Sequence, residues 1–250
     1  MIDKLFLFLR ARSRRARYDF FWRTMEPTSA DLLLDLGGGS GPCPPARRGH
    51  NGGVIIADIE ISPLRRAGEA FPEAILIVAD GMHMPFADQS IGCVFCNSVI
   101  EHVDRPAQLA KEIARIGRSY FVQTPYRGFP FETHSFVPIP LYHSFSRPMQ
   151  RLLCRLFRAS FEQISSVSYL SESQLRAMFP HATVHKETFL GLTKSFYLAR
   201  STQRRKAPSC ASFSPAAIVE KCRSSSARRG RLEPGQSTGC QRARGDGGSC

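Results

Sequence analysis

Asp35, Gly37, Gly39 and Gly41 stand at two-residue intervals in the stretch DLLLDLGGGSGPCPP, residues 31–45. A carboxylate followed by evenly spaced residues without side chains suits a polar ligand held against the main chain. Glycine reaches positive φ and lets backbone atoms approach a ligand with no Cβ in the way. The apolar run at 32–36 reads as a buried strand, so the turn falls at a strand's carboxyl end, where open α/β sheets bind their ligands. The spacing excludes two phosphate-binding loops. A dinucleotide fingerprint counted from Gly37 needs a third glycine where Pro42 stands, and no Gly-Lys-Ser/Thr follows to make a P-loop.

Further polar residues recur where other apolar runs stop: Asp58 and Glu60 after VIIA, Asp80 with Gly81 and Met82 after ILIVA, and Asn97 after GCVFC. Each acid alone reads equally well as a solvated loop charge. Their placement at successive strand ends points to a shared ligand rich in hydrogen-bond donors. Cys93 and Cys96 form a C-x-x-C, but residues three apart on a strand point to opposite faces, so the pair does not converge on one ion. His102 follows the Asn97 run and is the candidate general base, the alternative being that the Glu101-His102 pair caps or stabilises the next helix.

The elements that must position these residues follow from the pattern. Apolar runs at 32–36, 53–58, 74–80, 92–98 and 119–125 are too short for helices and alternate with helical or loop stretches. That alternation predicts a parallel sheet with crossover helices. RPAQLAKEIARIGR carries Leu109, Ile113 and Ile116 on one helical face. SESQLRAMFP reads as a helix with Ser171 at its N-cap and Pro180 after its end, and two final strands read as an antiparallel pair turning at Gly191–Leu192. Residues 5–25 mix Leu, Phe and Trp22 with arginines at helical spacing, which predicts an amphipathic helix packed on the domain, or lying on a membrane surface.

Taken in order, these segments resemble the class I S-adenosylmethionine-dependent methyltransferases, specifically the type 11 group. The resemblance covers residues 31–125 and rests on DLGGGSG, VIIADIEIS, VADGMHMPFADQS and FCNSVIEHV followed by RPAQLAKEIARI. It implies a Rossmann-like, doubly wound, seven-stranded sheet, mostly parallel, ending in an antiparallel β-hairpin. It also implies S-adenosylmethionine as cofactor, with Asp35, Gly37, Gly39 and Gly41 around its amino-acid part. The ribose hydroxyls would fall to Asp58, with Glu60 as rival; Asp80, Gly81 and Met82 would line the adenine side, and Asn97 would also belong to the cofactor site. No metal is implied. The sequence departs from the family at Pro42, Pro44 and Pro45, where the first helix begins, and at Gly92, where strand four usually begins with an aspartate.

The same reading divides the chain into an N-terminal helical segment (1–30), the methyltransferase domain (31–200) and a basic tail (201–250) predicted to be disordered. An insertion at 126–165 would form a lid over the acceptor, with Tyr126 and His134 as substrate contacts; His134 and His143 alone make a poor zinc site. The net charge is +13, of which +7 lies in the tail, so basicity alone does not argue for a nucleic-acid partner. No apolar run reaches the roughly 18 residues of a membrane span. Charge following the apolar stretch 5–9 is on the wrong side for a secretory signal. A cytoplasmic chain with reduced thiols is expected. It would be a methyltransferase for a small-molecule, glycan or lipid-linked acceptor, the alternatives being a noncatalytic relative at acidic membranes and, third, a nucleic-acid methyltransferase.

Overall fold

The structure, a computed structural model, describes residues 2–40, 50, 52–131, 137 and 139–202, with side chains from residue 11 onward. Seven strands form one sheet in the order β3-β2-β1-β4-β5-β7-β6. They are β1 (Leu33–Leu36), β2 (Val54–Asp58), β3 (Ile75–Val78), β4 (Ile91–Asn97), β5 (Gly117–Pro125), β6 (Thr183–Phe189) and β7 (Leu192–Arg200). β1 to β5 pair in parallel, and β7 joins β5 and β6 antiparallel. The chain winds outward from β1 through β2 to β3, then returns to β4 on β1's other side. The crevice between the β1 and β4 carboxyl ends is therefore the switch point at which such sheets bind ligands.

Strands buried on both faces read as unbroken apolar runs, and VIIA does so because helices cover the sheet twice; β1 departs from that pattern only at Asp35. On one face α1 (Ile2–Met25) lays Tyr18, Phe21 and Met25 against Leu33, Phe95, Phe121 and Tyr197. The Phe95 and Phe121 rings stack at 5.6 Å with 2° between their planes. On that face too, α2 (Ile61–Ala70) buries Leu64 and Ala67 on Val54 and Ile56. The opposite face receives α3 (Pro106–Ile116), whose Leu109, Ala110, Ile113 and Ile116 make one buried stripe, and α6 (Glu172–Met178), after which Phe179 packs on Tyr120.

α6 starts where its sequence says. The Ser171 hydroxyl accepts from the Gln174 N–H while Gln174 reaches back to the Ser171 N–H, a reciprocal capping box. The hairpin turn lies one residue earlier than expected, at Leu190–Gly191 rather than Gly191–Leu192. Both residues have positive φ, 51° and 79°, the two-residue geometry that matches strand twist. The insertion after β5 carries a 3-10 turn at Tyr142–Ser144, then α4 (Arg147–Leu156) and α5 (Phe161–Ser165). Val137, Tyr142, Cys154 and Ile164 form its own small core. Pro42, Pro44, Pro45 and the predicted disordered tail lie outside the described residues, except for Ser201 and Thr202.

Candidate active site

β1 ends in the glycine turn, and each described glycine there has a neighbour that forbids a side chain. Gly37 has φ 75°, its N–H donates to the Ala57 carbonyl at 2.7 Å, and a Cβ on it would lie 2.3 Å from Val99 Cγ2. A Cβ on Gly38 would sit 2.3 Å from Cγ of Asp35, and one on Gly39 2.5 Å from the Pro63 Cβ. The sequence suggested positive φ and ligand approach as the reasons for these glycines; Gly37 bears out the first, and the close return of the chain's own segments demands them as well. Gly41 lies outside the described residues. Asp35 is 4% exposed, tucked beneath the turn.

The second strand end separates two acids that sequence alone left as rivals. Asp58 closes β2 and accepts from the Gly39 N–H at 3.3 Å through one oxygen and from the Glu60 N–H at 3.0 Å through the other. It thereby clamps the glycine turn to the start of α2. Glu60 is the N-cap residue of α2, yet its side chain makes no capping bond and is exposed.

After β3, Asp80 accepts from the Met82 N–H at 2.9 Å and lies 3.0 Å from the His83 ring. The Met82 amide, with His83 second, holds its carboxyl below the usual range, so it is ionised at neutral pH. Gly81 lets Leu109 and Leu36 close beneath it, since a Cβ there would stand 3.0 Å from Leu109. The structure thus brings Asp35, Gly37, Gly39, Asp58, Asp80, Gly81 and Met82 to the carboxyl ends of three adjacent strands.

At β4 the picture changes. Asn97 accepts from the Arg17 guanidinium of α1 at 2.6 Å, and Arg17 also pairs with Glu187 of β6 at 3.2 Å. Lys194 pairs with Glu187 at 3.3 Å, Ser13 donates to it at 2.6 Å, and Ser195 donates as well. Burial opposes ionisation of Glu187, but Arg17 and Lys194 outweigh it and hold the carboxyl at about 2. Sequence reasoning missed this cluster. Its one readable signal was an arginine among aromatic residues on the buried side of a helix.

Glu101 and His102 occupy a 3-10 turn, Ile100–His102, beyond β4. Glu101 is wholly buried, accepts from the Thr124 hydroxyl at 3.1 Å, and its carbonyl accepts from the Ser168 N–H at 2.8 Å. The N-cap of α3 is Arg105, which makes no side-chain capping bond. His102 is exposed at the crevice end of β4. Tyr126, the first residue after β5, sets its ring edge-on to Phe196 at 5.3 Å. His134 lies outside the described residues, while His143 packs on Tyr169, ring to ring at 5.1 Å. Cys93 faces α1, and Cys96 lies on the other face; burial pushes the Cys93 thiol up to about 12 and the Cys96 thiol well above its ordinary value. Among the described residues no group of three or more side chains could hold a metal ion.

This arrangement has relatives. The methyltransferase domain family model matches residues 34–120. An uncharacterized methyltransferase of Mycobacterium tuberculosis (strain ATCC 25177 / H37Ra) is 37% identical over 93 residues, 36% of this chain and 37% of that protein. One from Mycobacterium avium (strain 104) is 36% identical over 114 residues, 43% of this chain and 44% of that protein. The chain thus matches less than half the length of these curated relatives. Among solved structures, the geranyl diphosphate C-methyltransferase of Streptomyces coelicolor A3(2), crystallised with Mg2+, geranyl diphosphate and S-adenosyl-L-homocysteine, superposes with a TM-score of 0.50 at 15% identity, covering 74% of this chain and 79% of that one. The YcgJ protein of Bacillus subtilis gives 0.50 at 16% identity over 70% and 71%. At such identities the likeness is one of fold.

Proposed function

We propose that this protein transfers a methyl group from S-adenosylmethionine to a small-molecule acceptor. The observation that carries the reading is the row of carboxylates at the ends of β1, β2 and β3 beside a turn without side chains. Ribose hydroxyls and an adenine amine are donors, and ionised carboxylates are strong acceptors, so the residues present fit this cofactor. When bound, it supplies a methyl carbon already activated by the sulfonium.

The chain's own residues then bind and align. Asp35 and the backbone of Gly37 to Gly39 face the amino-acid end. Asp58 keeps the turn in place, which leaves Glu60 to accept from the ribose hydroxyls. Asp80 accepts from the adenine amine, and Met82 covers the ring. Orientation of a bound pair supplies about 7–11 kcal/mol in favourable cases, and this reaction depends chiefly on it. His102 takes the proton that an oxygen or nitrogen acceptor loses. The insertion after β5 reaches back to the turn beyond β4 through Ser168 and covers the acceptor, with Tyr126 at its root.

Calorimetric titration with S-adenosylmethionine tests the reading. Glu60→Ala is expected to weaken binding about tenfold or more at unchanged thermal stability, and Asp80→Ala to weaken it as much with some loss of melting temperature, since the Met82 N–H loses its acceptor. Asp58→Ala is expected to lower both affinity and melting temperature, because two main-chain N–H groups lose their acceptor. Wild-type affinity in all three variants would refute the cofactor placement. His102→Ala is expected to reduce turnover about a hundredfold with cofactor affinity intact.

A further inference from the structure

α4 has one side packed and one side that nothing among the described residues covers. Cys154 meets the Tyr142 hydroxyl at 3.1 Å and Gln150 donates to the Tyr142 carbonyl at 3.3 Å, which fixes the inward side. The outward side carries Met149, Leu152 and Leu156, 42%, 57% and 71% exposed, at spacings of three and four that make one stripe. A helix of a soluble domain normally turns polar residues to that position. Beside the stripe run Arg147, Arg151 and Arg155 at four-residue steps, all exposed, and Arg158 follows the helix end. Arg151 also lies 5.0 Å over the Phe161 ring. The helix contains no acidic residue.

We propose that α4 docks into the surface of an anionic lipid bilayer, its methionine and leucines entering between the headgroups and its arginines meeting the phosphates. Exposed apolar area beside cationic side chains is the combination that holds a helix in the plane of such a surface. Charge decides between occupants. A second copy of this chain would set arginine rows of like sign against each other, and a nucleic acid would engage the arginines while leaving the leucines in water. The helix stands on the insertion that follows β5, and beyond α5 the chain returns to the turn after β4, where the Ser168 N–H donates to the Glu101 carbonyl. No described helix is long and apolar enough to cross a membrane.

The test uses the full chain with vesicles of phosphatidylcholine alone and of phosphatidylcholine mixed with phosphatidylglycerol. Co-sedimentation is expected with the mixed vesicles only. The double variant Leu152→Ser, Leu156→Ser is expected to bind them about tenfold more weakly at unchanged melting temperature, and Arg147→Gln with Arg155→Gln is expected to do the same at low salt. The serine variant is decisive, because attraction by basic residues elsewhere in the chain survives it. A tryptophan placed by Leu152→Trp is expected to shift to the blue and to be quenched by lipids brominated along the acyl chain, beyond the response of Trp22. Undiminished vesicle binding by the serine variant overturns the proposal. So does the absence of quenching, or binding to RNA with none to vesicles. No readout involves methyl transfer, so failure here leaves the cofactor reading standing, and failure of that reading leaves this one.

Discussion

Gly39 and Asp58 lie 19 positions apart, yet the carboxylate of one caps the amide of the other, so the ligand-side turn is built from two strand ends at once. Substitution at Gly37 tests how rigidly. Alanine there must hold φ 75° and meet Val99, so Gly37→Ala is expected to cost about 2 kcal/mol, read as a lower urea midpoint at unchanged slope. The cysteines make a second residue-scale case. With Cys93 and Cys96 buried and their thiols held protonated, iodoacetamide at pH 8 is expected to label neither until the protein unfolds, as mass mapping would show. The carboxylates at the strand ends were legible because each follows an apolar run. Arg17 and Glu101 were not, because what marks a charge as buried is its partner, and Arg17 finds Glu187 170 positions away.

Elements with local signals appear where the sequence puts them. The Ser171 capping box is one, and Ser171→Ala is expected to cost about 1 kcal/mol in a thermal or urea melt. The hairpin turn was misplaced by one residue because Leu190, a residue that seldom takes positive φ, occupies the first turn position, and Gly191 drew attention to itself. Between α1 and the hairpin, Glu187 gathers Arg17, Lys194 and two hydroxyls, and this makes the helix's attachment sensitive to acid. The folded-state carboxyl is depressed to about 2 from an ordinary 4.5, so its contribution is complete above 4.5 and is lost as pH falls toward 2. Melting temperature is expected to drop across that window, and Glu187→Gln is expected to flatten the profile while lowering stability at neutral pH. Protonation there removes the partner of a buried guanidinium, which costs more than the loss of a surface pair.

At the scale of the molecule, the mostly parallel sheet and its closing antiparallel hairpin followed from the alternation of apolar runs with helices and from the family resemblance together. The packing of α1 on the domain was legible too, from its aromatic residues at helical spacing, although its arginines also allowed a membrane-surface helix. What decides it is the aromatic surface of the sheet: Phe95, Phe121 and Tyr197 need a cover, and Tyr18, Phe21 and Met25 supply it. Removing residues 2–25 is therefore expected to leave an insoluble or molten chain, seen as dye binding to exposed apolar surface with loss of near-ultraviolet dichroism.

The two rims of the sheet differ in a way that bears on handling the protein. β6 carries the exposed Lys186 in its run, whereas β3 is simply ILIV, with Val78 more than half exposed and no charge to deter another strand from adding to it. Mutual repulsion between molecules of net charge +13 opposes such stacking in dilute buffer, and added salt screens that repulsion. Turbidity is thus expected to rise with ionic strength, and a lysine at position 78, Val78→Lys, to keep concentrated solutions clear.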